Sequence, residues 1–283
     1  MHVFDQFTKT KNFLVCVDSD GCAMDTMDIK HFHCFGPCMV DEWDLSSWRT
    51  PILDRWNQIN LYQMTRGINR FKGLSMALTE IGQQYTPITG ITALQHWVET
   101  SPALSNDALE QAIAQAEDAD TRIVLTKALH WSQAVNASIT TLPASDKKPF
   151  TGAKEGLAAA SRVADVAIVS SANRDAVMEE WQANDLLEHV DIVLAQDCGS
   201  KAHCIAELLK KGYAPDHVLM VGDAPGDRDA AAKNGVFFYP ILVRREKESW
   251  DNLEASALVS LTQGHYADCQ DALLTAFVEN LGG

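Results

Sequence analysis

Between Asp165 and Val243 the sequence alternates short apolar runs with helix-patterned segments, and few folds accept that order. The apolar runs are "DVAIVS" (165–170), "DIVLA" (191–195), "HVLMVGD" (217–223) and "VFFYPILV" (236–243). Between them, 173–183, 200–212 and 227–235 carry helix patterns, and Gly212 and Gly235 close the last two. Strand and helix repeating at this spacing build βαβ units on a parallel sheet. Right-handed crossovers then bring the C-terminal ends of all strands to one edge, where open α/β sheets bind ligands. One more run of the same kind, "NFLVCV" at 12–17, stands far upstream. The sheet's first strand is therefore cut off from the rest by a long insertion.

The insertion reads differently. Residues 41–147 hold five of the seven tryptophans, at 43, 48, 56, 97 and 131, and show helical spacing throughout. Pro102, Gly82 and "LPASDKKP" punctuate four or five helices, and Ser105 is placed as the cap of one of them. The tryptophans are expected to form its core. "DKKPFTG" at 146–152 is the return linker. The expected division is a Rossmann-like α/β core from 1–27 and 149–283, with a helical domain over 28–148; 283 residues fit two such domains.

Charge narrows the partners. A net charge of −15 argues against binding a nucleic-acid backbone. An anionic substrate would need a locally positive pocket. Seven irregularly spaced cysteines (16, 22, 34, 38, 198, 204, 269) suggest reduced thiols rather than a disulfide framework. The N-terminus lacks a signal-peptide layout and no apolar run has the length of a membrane span, so a cytoplasmic location is expected. Oligomeric state is not legible.

The chemistry gathers at strand ends. Asp18 and Asp20 follow the first strand, Ser170 and Ser171 the second, Lys201 the third, and Asp223 and Asp227 the fourth. Each alone is ordinary turn or cap chemistry. Together on one sheet edge they form a carboxylate cluster with a lysine and a hydroxyl, suited to Mg²⁺ and a phosphoryl group.

These segments resemble the motifs of the haloacid dehalogenase superfamily. "VCVDSDGCAMD" is similar to its first motif, "AIVSSANRDAV" to the second, Lys201 in "QDCGSKAHCI" to the third and "VLMVGDAPGDRDAA" to the fourth, in that order. The insertion stands at the position of a C1-type cap. The resemblance implies that Asp18 is a nucleophile forming an aspartyl-phosphate and that Asp20 is the general acid and base. It implies that Asp18, the Asp20 backbone carbonyl and Asp223 bind Mg²⁺, with Asp227 positioning Lys201 or acting on the metal through water. Ser170, Ser171 and Lys201 would hold the transferring group. Cys22 replaces the usual Thr or Val, and Ala202 the frequent Pro after the lysine.

The expected activity is Mg²⁺-dependent hydrolysis of a small phosphorylated metabolite. Alternatives are a phosphomutase or phosphotransferase, a phosphonate hydrolase using a lysine such as Lys72, and a non-catalytic phospho-ligand-binding protein. Two segments stay outside the motifs. His31, His33, Cys34 and Cys38 in "HFHCFGPC" are metal-ligand types without a zinc spacing, and their alternation suits a short packed strand or flap. Arg66, Arg70 and Lys72 concentrate positive charge, read either as a solvated helix end or, for Arg66 and Arg70, as contacts to a second anionic group on the substrate.

Overall fold

A continuous run of β-branched and apolar residues pleats into a strand that is buried on both faces, and Phe13–Val17 (β1) does so with Leu14 to Val17 fully inaccessible. The computed structural model describes residues 3–283. β2 (Ala164–Val169), β3 (Ile192–Leu194), β4 (Val218–Gly222) and β5 (Phe237–Pro240) complete one parallel sheet in the order β3-β2-β1-β4-β5. Each strand lies within the run expected for it except β2, which begins one residue earlier, at Ala164. β5 is shorter than 236–243 and ends at Pro240, which brings no N–H to a ladder.

The order reverses at β1, whose neighbours are β2 and β4. Crossovers of one hand leaving in opposite directions put helices on both faces, and they open a crevice between the ends of β1 and β4. Val17 pairs with Val221, and the Asp18 N–H donates to the Val221 carbonyl at 3.0 Å, so this crevice begins at Asp18. The crossover helices are Ala153–Val163, Arg174–Ala183, Lys201–Leu209 and Pro225–Asn234. The last starts before Asp227, the expected first residue, because Pro225 fits the first helical turn without needing its N–H.

Beyond β5 the chain adds helices at Glu246–Asn252 and Ala267–Asn280. The side-chain amide of Gln270 stands in for a missing strand at the sheet edge. It accepts from Phe238 N at 2.9 Å and donates to Phe238 O at 3.0 Å.

The chain forms two compact units: one runs through Met27 and resumes at Ala144–Gly283, the other is Asp28–Pro143. The return crossing, set at 148 from the sequence, falls at Pro143–Ala144. Residues 148–150 pair instead with the loop after β1, where Asp25 N donates to Lys148 O and Phe150 N to Ala23 O.

The second unit is helical, with helices Arg49–Leu61, Arg70–Gln84, Ile91–Thr100, Asn106–Gln115 and Ala119–Thr140. Ser105 caps the fourth as expected, accepting from Ala108 N at 3.2 Å. Gly82 lies inside the second helix rather than ending it. Trp43, Trp56, Trp97 and Trp131 are buried in one apolar core, and Trp48 packs against it. Among the described residues no helix is long and apolar enough to cross a membrane.

A fully buried carboxylate ties the N-terminal segment beneath the sheet. Asp165 accepts from Thr10 N at 2.9 Å, Lys11 N at 3.0 Å, and the hydroxyls of Thr10 and Tyr213. Burial alone would raise its pKa, but the hydrogen bonds from Thr10, Tyr213 and Lys11 outweigh it and hold the carboxyl below its ordinary range. A depressed carboxyl stabilises the fold above the unfolded pKa of about 3.9, and that contribution is lost as pH falls through the folded value. Asp165→Ala leaves buried donors unpaired and is expected to cost about 2–4 kcal/mol at pH 7. The gap between wild type and variant in urea midpoints should narrow clearly at pH 3. An equal gap at both pH values would contradict the assignment.

Candidate active site at the carboxyl edge of the sheet

Asp18, Ser170 and Asp223 each follow the last residue of their strand directly, where the pleat ends and the chain turns towards the crossover. Lys201 opens the helix after β3, with Ser200 as its cap accepting from His203 N at 3.2 Å. These local choices bring distant residues together. The Lys201 ammonium lies 2.8 Å from Asp18 Oδ1 and 2.5 Å from Asp227 Oδ1. The other oxygen of Asp227 accepts from Ala224 N at 3.1 Å, which fixes the carboxylate at the start of its helix. Gly222 is required here: a Cβ at that position would lie 2.4 Å from the Asp227 carboxylate carbon.

Asp18, Asp223 and Asp227 are 6%, 1% and 0% exposed. Burial is the main cause raising the Asp18 carboxyl well above its usual range; Asp227 and Asp223 add to it, and Lys201 opposes them. Burial disfavours a charge on Lys201, but the Asp18 and Asp227 carboxylates outweigh it and raise the ammonium's pKa. The lysine is thus held charged among carboxylates that repel one another.

Oxygen atoms from Asp18, Asp223 and Asp227 lie within 4.8 Å of one another. This donor set is all carboxylate, with no nitrogen or sulfur, and it fits a hard cation such as Mg²⁺ rather than a soft metal. Cys22 does not join it. The thiol is fully buried, lies 3.6 Å from the Val221 carbonyl, and is raised in pKa by burial and then by Asp223 and Asp18, so it stays protonated and inert.

Asp20 is half-buried in the same loop, and its Oδ1 accepts from Thr26 Oγ1 at 2.5 Å. Ser170 is buried; its N–H donates to Leu194 O at 2.9 Å and its Oγ accepts from Ala172 N at 3.1 Å. Ser171 is exposed. Thr26 has no signal in the sequence, since a single threonine between aspartates reads as a turn residue.

In the helical unit, "HFHCFGPC" is neither strand nor flap. His31–Phe35 forms a widened helical turn that runs on into the helix Gly36–Glu42, with Pro37 in its first turn. Its alternation of rings is met by stacking along a helix: His31 lies 4.6 Å from Phe35, and His31 Nδ1 accepts from Trp56 Nε1 at 3.1 Å. Cys34 is buried in the apolar core, Cys38 packs against it, and His33 is exposed. The solvated-helix-end reading also needs correction. Arg66 is buried and donates to the Leu61 carbonyl at 2.8 Å, satisfying the end of the preceding helix. Arg70 donates to Asn136 Oδ1 at 2.8 Å and Ser132 Oγ at 3.1 Å and sits over the Phe35 ring; burial lowers its pKa. Lys72 is exposed.

The family model for haloacid dehalogenase-like hydrolases matches residues 93–241, more than half of the chain. The chain belongs to that family. The match spans the segments around Ser170, Lys201, Asp223 and Asp227 but stops short of Asp18 and Asp20. Solved structures similar to this hydrolase include a haloacid dehalogenase-like family hydrolase from Streptococcus pneumoniae, at 12% identity, 86% of this chain, 91% of that chain and a TM-score of 0.45. A predicted phosphatase from Clostridium acetobutylicum gives 12% identity, 82% and 85% coverage and a TM-score of 0.47. A predicted phosphoglycolate phosphatase from Haemophilus somnus gives 14%, 82%, 85% and 0.45. At these identities and scores the likeness assigns no substrate. No curated protein matches the chain.

Proposed function

We propose that this haloacid dehalogenase-like hydrolase is a phosphohydrolase that cleaves a small phosphorylated metabolite through an aspartyl-phosphate on Asp18. The observation that carries this reading is the buried trio of Asp18, Asp223 and Asp227 around Lys201. Displacing a halide from carbon needs one carboxylate. Displacing an alkoxide from a phosphate dianion needs positive charge around the phosphorus, and a cluster built to hold a cation beside a lysine provides it.

In the first step an Asp18 oxygen attacks phosphorus as the ester P–O bond breaks, and Asp20 gives its proton to the departing alkoxide. The bond from Thr26 holds the Asp20 carboxyl in place for that transfer. In the second step Asp20, now a carboxylate, takes a proton from water as the water attacks phosphorus. Orthophosphate leaves and Asp18 is restored. Lys201 and the Ser170 hydroxyl bind the phosphoryl oxygens, joined by Ser171. With both oxygens engaged, Asp227 serves chiefly to aim Lys201. Asp18, the Asp20 backbone carbonyl and Asp223 would hold Mg²⁺, with Asp227 behind them, and the ion would neutralise charge on the phosphoryl group.

The same reading gives residues 28–143 the task of a cap that selects the substrate, while Arg66, buried against the Leu61 carbonyl, serves first to close a helix end. Arg70, engaged by Asn136, Ser132 and Phe35, serves packing first. The test is phosphate release from a panel of phosphorylated metabolites with Mg²⁺, beside a 2-haloacid. Halide release without phosphate release would sink the proposal.

A further inference from the structure

Two buried indoles grip the loop that carries Asp18 and Asp20. Trp181, fully buried on the helix Arg174–Ala183, donates Nε1–H to Ser19 Oγ at 2.9 Å. Trp250, on the helix Glu246–Asn252, donates Nε1–H to the Cys22 carbonyl at 3.1 Å. Trp250 itself is wedged in place, because a Cβ on Gly156 would come within 2.4 Å of its ring.

Ser19 stands between the two acids and is 0% exposed. Its carbonyl accepts from Cys22 N at 3.3 Å, Ala23 N at 3.0 Å and Met24 N at 2.9 Å. The turn is therefore fixed through its backbone, and the Trp181 indole fixes the Ser19 side chain at its centre. An indole offers a single donor, and leaving it unpaired in a dry core is costly, so the contact stays closed. Any twist at Ser19 would turn Asp18 and Asp20 together, since one precedes it and the other follows it.

We infer that Trp181, acting through Ser19, is a positioning residue for the Asp18–Asp20 pair, with Trp250 holding the far side of the same turn. This rests on the roles proposed for the two aspartates. In-line attack needs the nucleophile placed to a fraction of an ångström, and a misplacement of about 1 Å can cost about 10²-fold in rate. Neither tryptophan belongs to a strand-end motif, and neither touches the reacting atoms in this role.

Trp181→Phe keeps most of the ring volume and removes the donor, while Ser19→Ala removes the acceptor. Each is expected to lower kcat for a small aryl phosphate in Mg²⁺ about tenfold, with KM held within about twofold. The double variant should lose no more than the worse single variant, because both remove the same contact. Hydrogen exchange at the amides of Cys22, Ala23 and Met24, followed by mass spectrometry, should quicken in both variants while the sheet strands stay protected. Losses that multiply in the double variant, or unchanged kcat with unchanged exchange, would overturn the inference. If Trp181→Phe folds poorly, Ser19→Ala carries the test alone. A wild-type protein that releases no phosphate, or an Asp18→Asn variant that does, would instead defeat the proposed function, and the exchange rates would then decide the clamp by themselves.

Discussion

Asp18→Asn is expected to lower phosphate release by about 10⁴-fold or more, with no phosphoenzyme detectable by acid quench. The change is nearly isosteric, so the loss has to come from chemistry. It should leave folding intact or improved, because Asp18 is a buried carboxylate whose charge is opposed by burial and by Asp227 and Asp223. Lys201 keeps its second partner, Asp227 at 2.5 Å. A melting temperature at or above that of the wild type, measured without metal, beside an activity near zero, would separate catalysis from stability. Asp20→Asn should behave differently: it keeps the nucleophile and loses proton transfer, a cost of about 10²–10⁴-fold. That cost should shrink for a substrate whose leaving group needs no proton. Near-normal rates in Asp18→Asn would remove the nucleophile from the proposal.

How much of this was legible depends on where each constraint comes from. β1 to β5 and the residues at their ends follow from local pattern, because a buried parallel strand writes itself as a short apolar run and its turn follows at once. The convergence of Asp18, Asp223 and Lys201 follows from topology, once right-handed crossovers are assumed. What supports them does not. Thr26 on Asp20, Trp181 on Ser19 and Trp250 on Cys22 each join residues by a single side-chain contact, which leaves no periodicity to read. Gly222 reads as a turn glycine, yet its reason is the Asp227 carboxylate pressed against it. The helices after β5 carry no motif. "HFHCFGPC" misled because alternating rings match a strand's period, while stacking of His31 on Phe35 uses the i, i+4 neighbours of a helical turn. Arg66 reads as a solvated cation, whereas an open helix end binds it in the interior.

The remaining large effect concerns the cation. Fully ionised, Asp18, Asp223 and Asp227 carry −3, and Lys201 supplies +1, which leaves −2 in a buried site. Three pairs of like charges about 4 Å apart cost roughly 12 kcal/mol at an effective dielectric near 20, about what the two close lysine contacts return, so the burial of the two remaining charges has nothing to offset it. A divalent cation brings the sum to zero, and a monovalent one does not. Protein stripped with EDTA is therefore expected to lose at least about 10²-fold in phosphate release, the scale of removing one electrostatic stabiliser. Mg²⁺ should restore it, and added Na⁺ or K⁺ should not. The same ion should raise the melting temperature of the stripped protein, since a ligand at about 100 times its Kd adds about 2.7 kcal/mol to the folded state. Asp223→Asn removes a proposed ligand and leaves the contacts of Lys201 with Asp18 and Asp227 in place. It should shift the Mg²⁺ midpoint for both activity and melting to higher concentration by about the same factor. Full hydrolysis in EDTA, together with a melting temperature that ignores Mg²⁺, would mean that the trio is balanced by protons alone, and the phosphoryl-transfer reading would lose its main support.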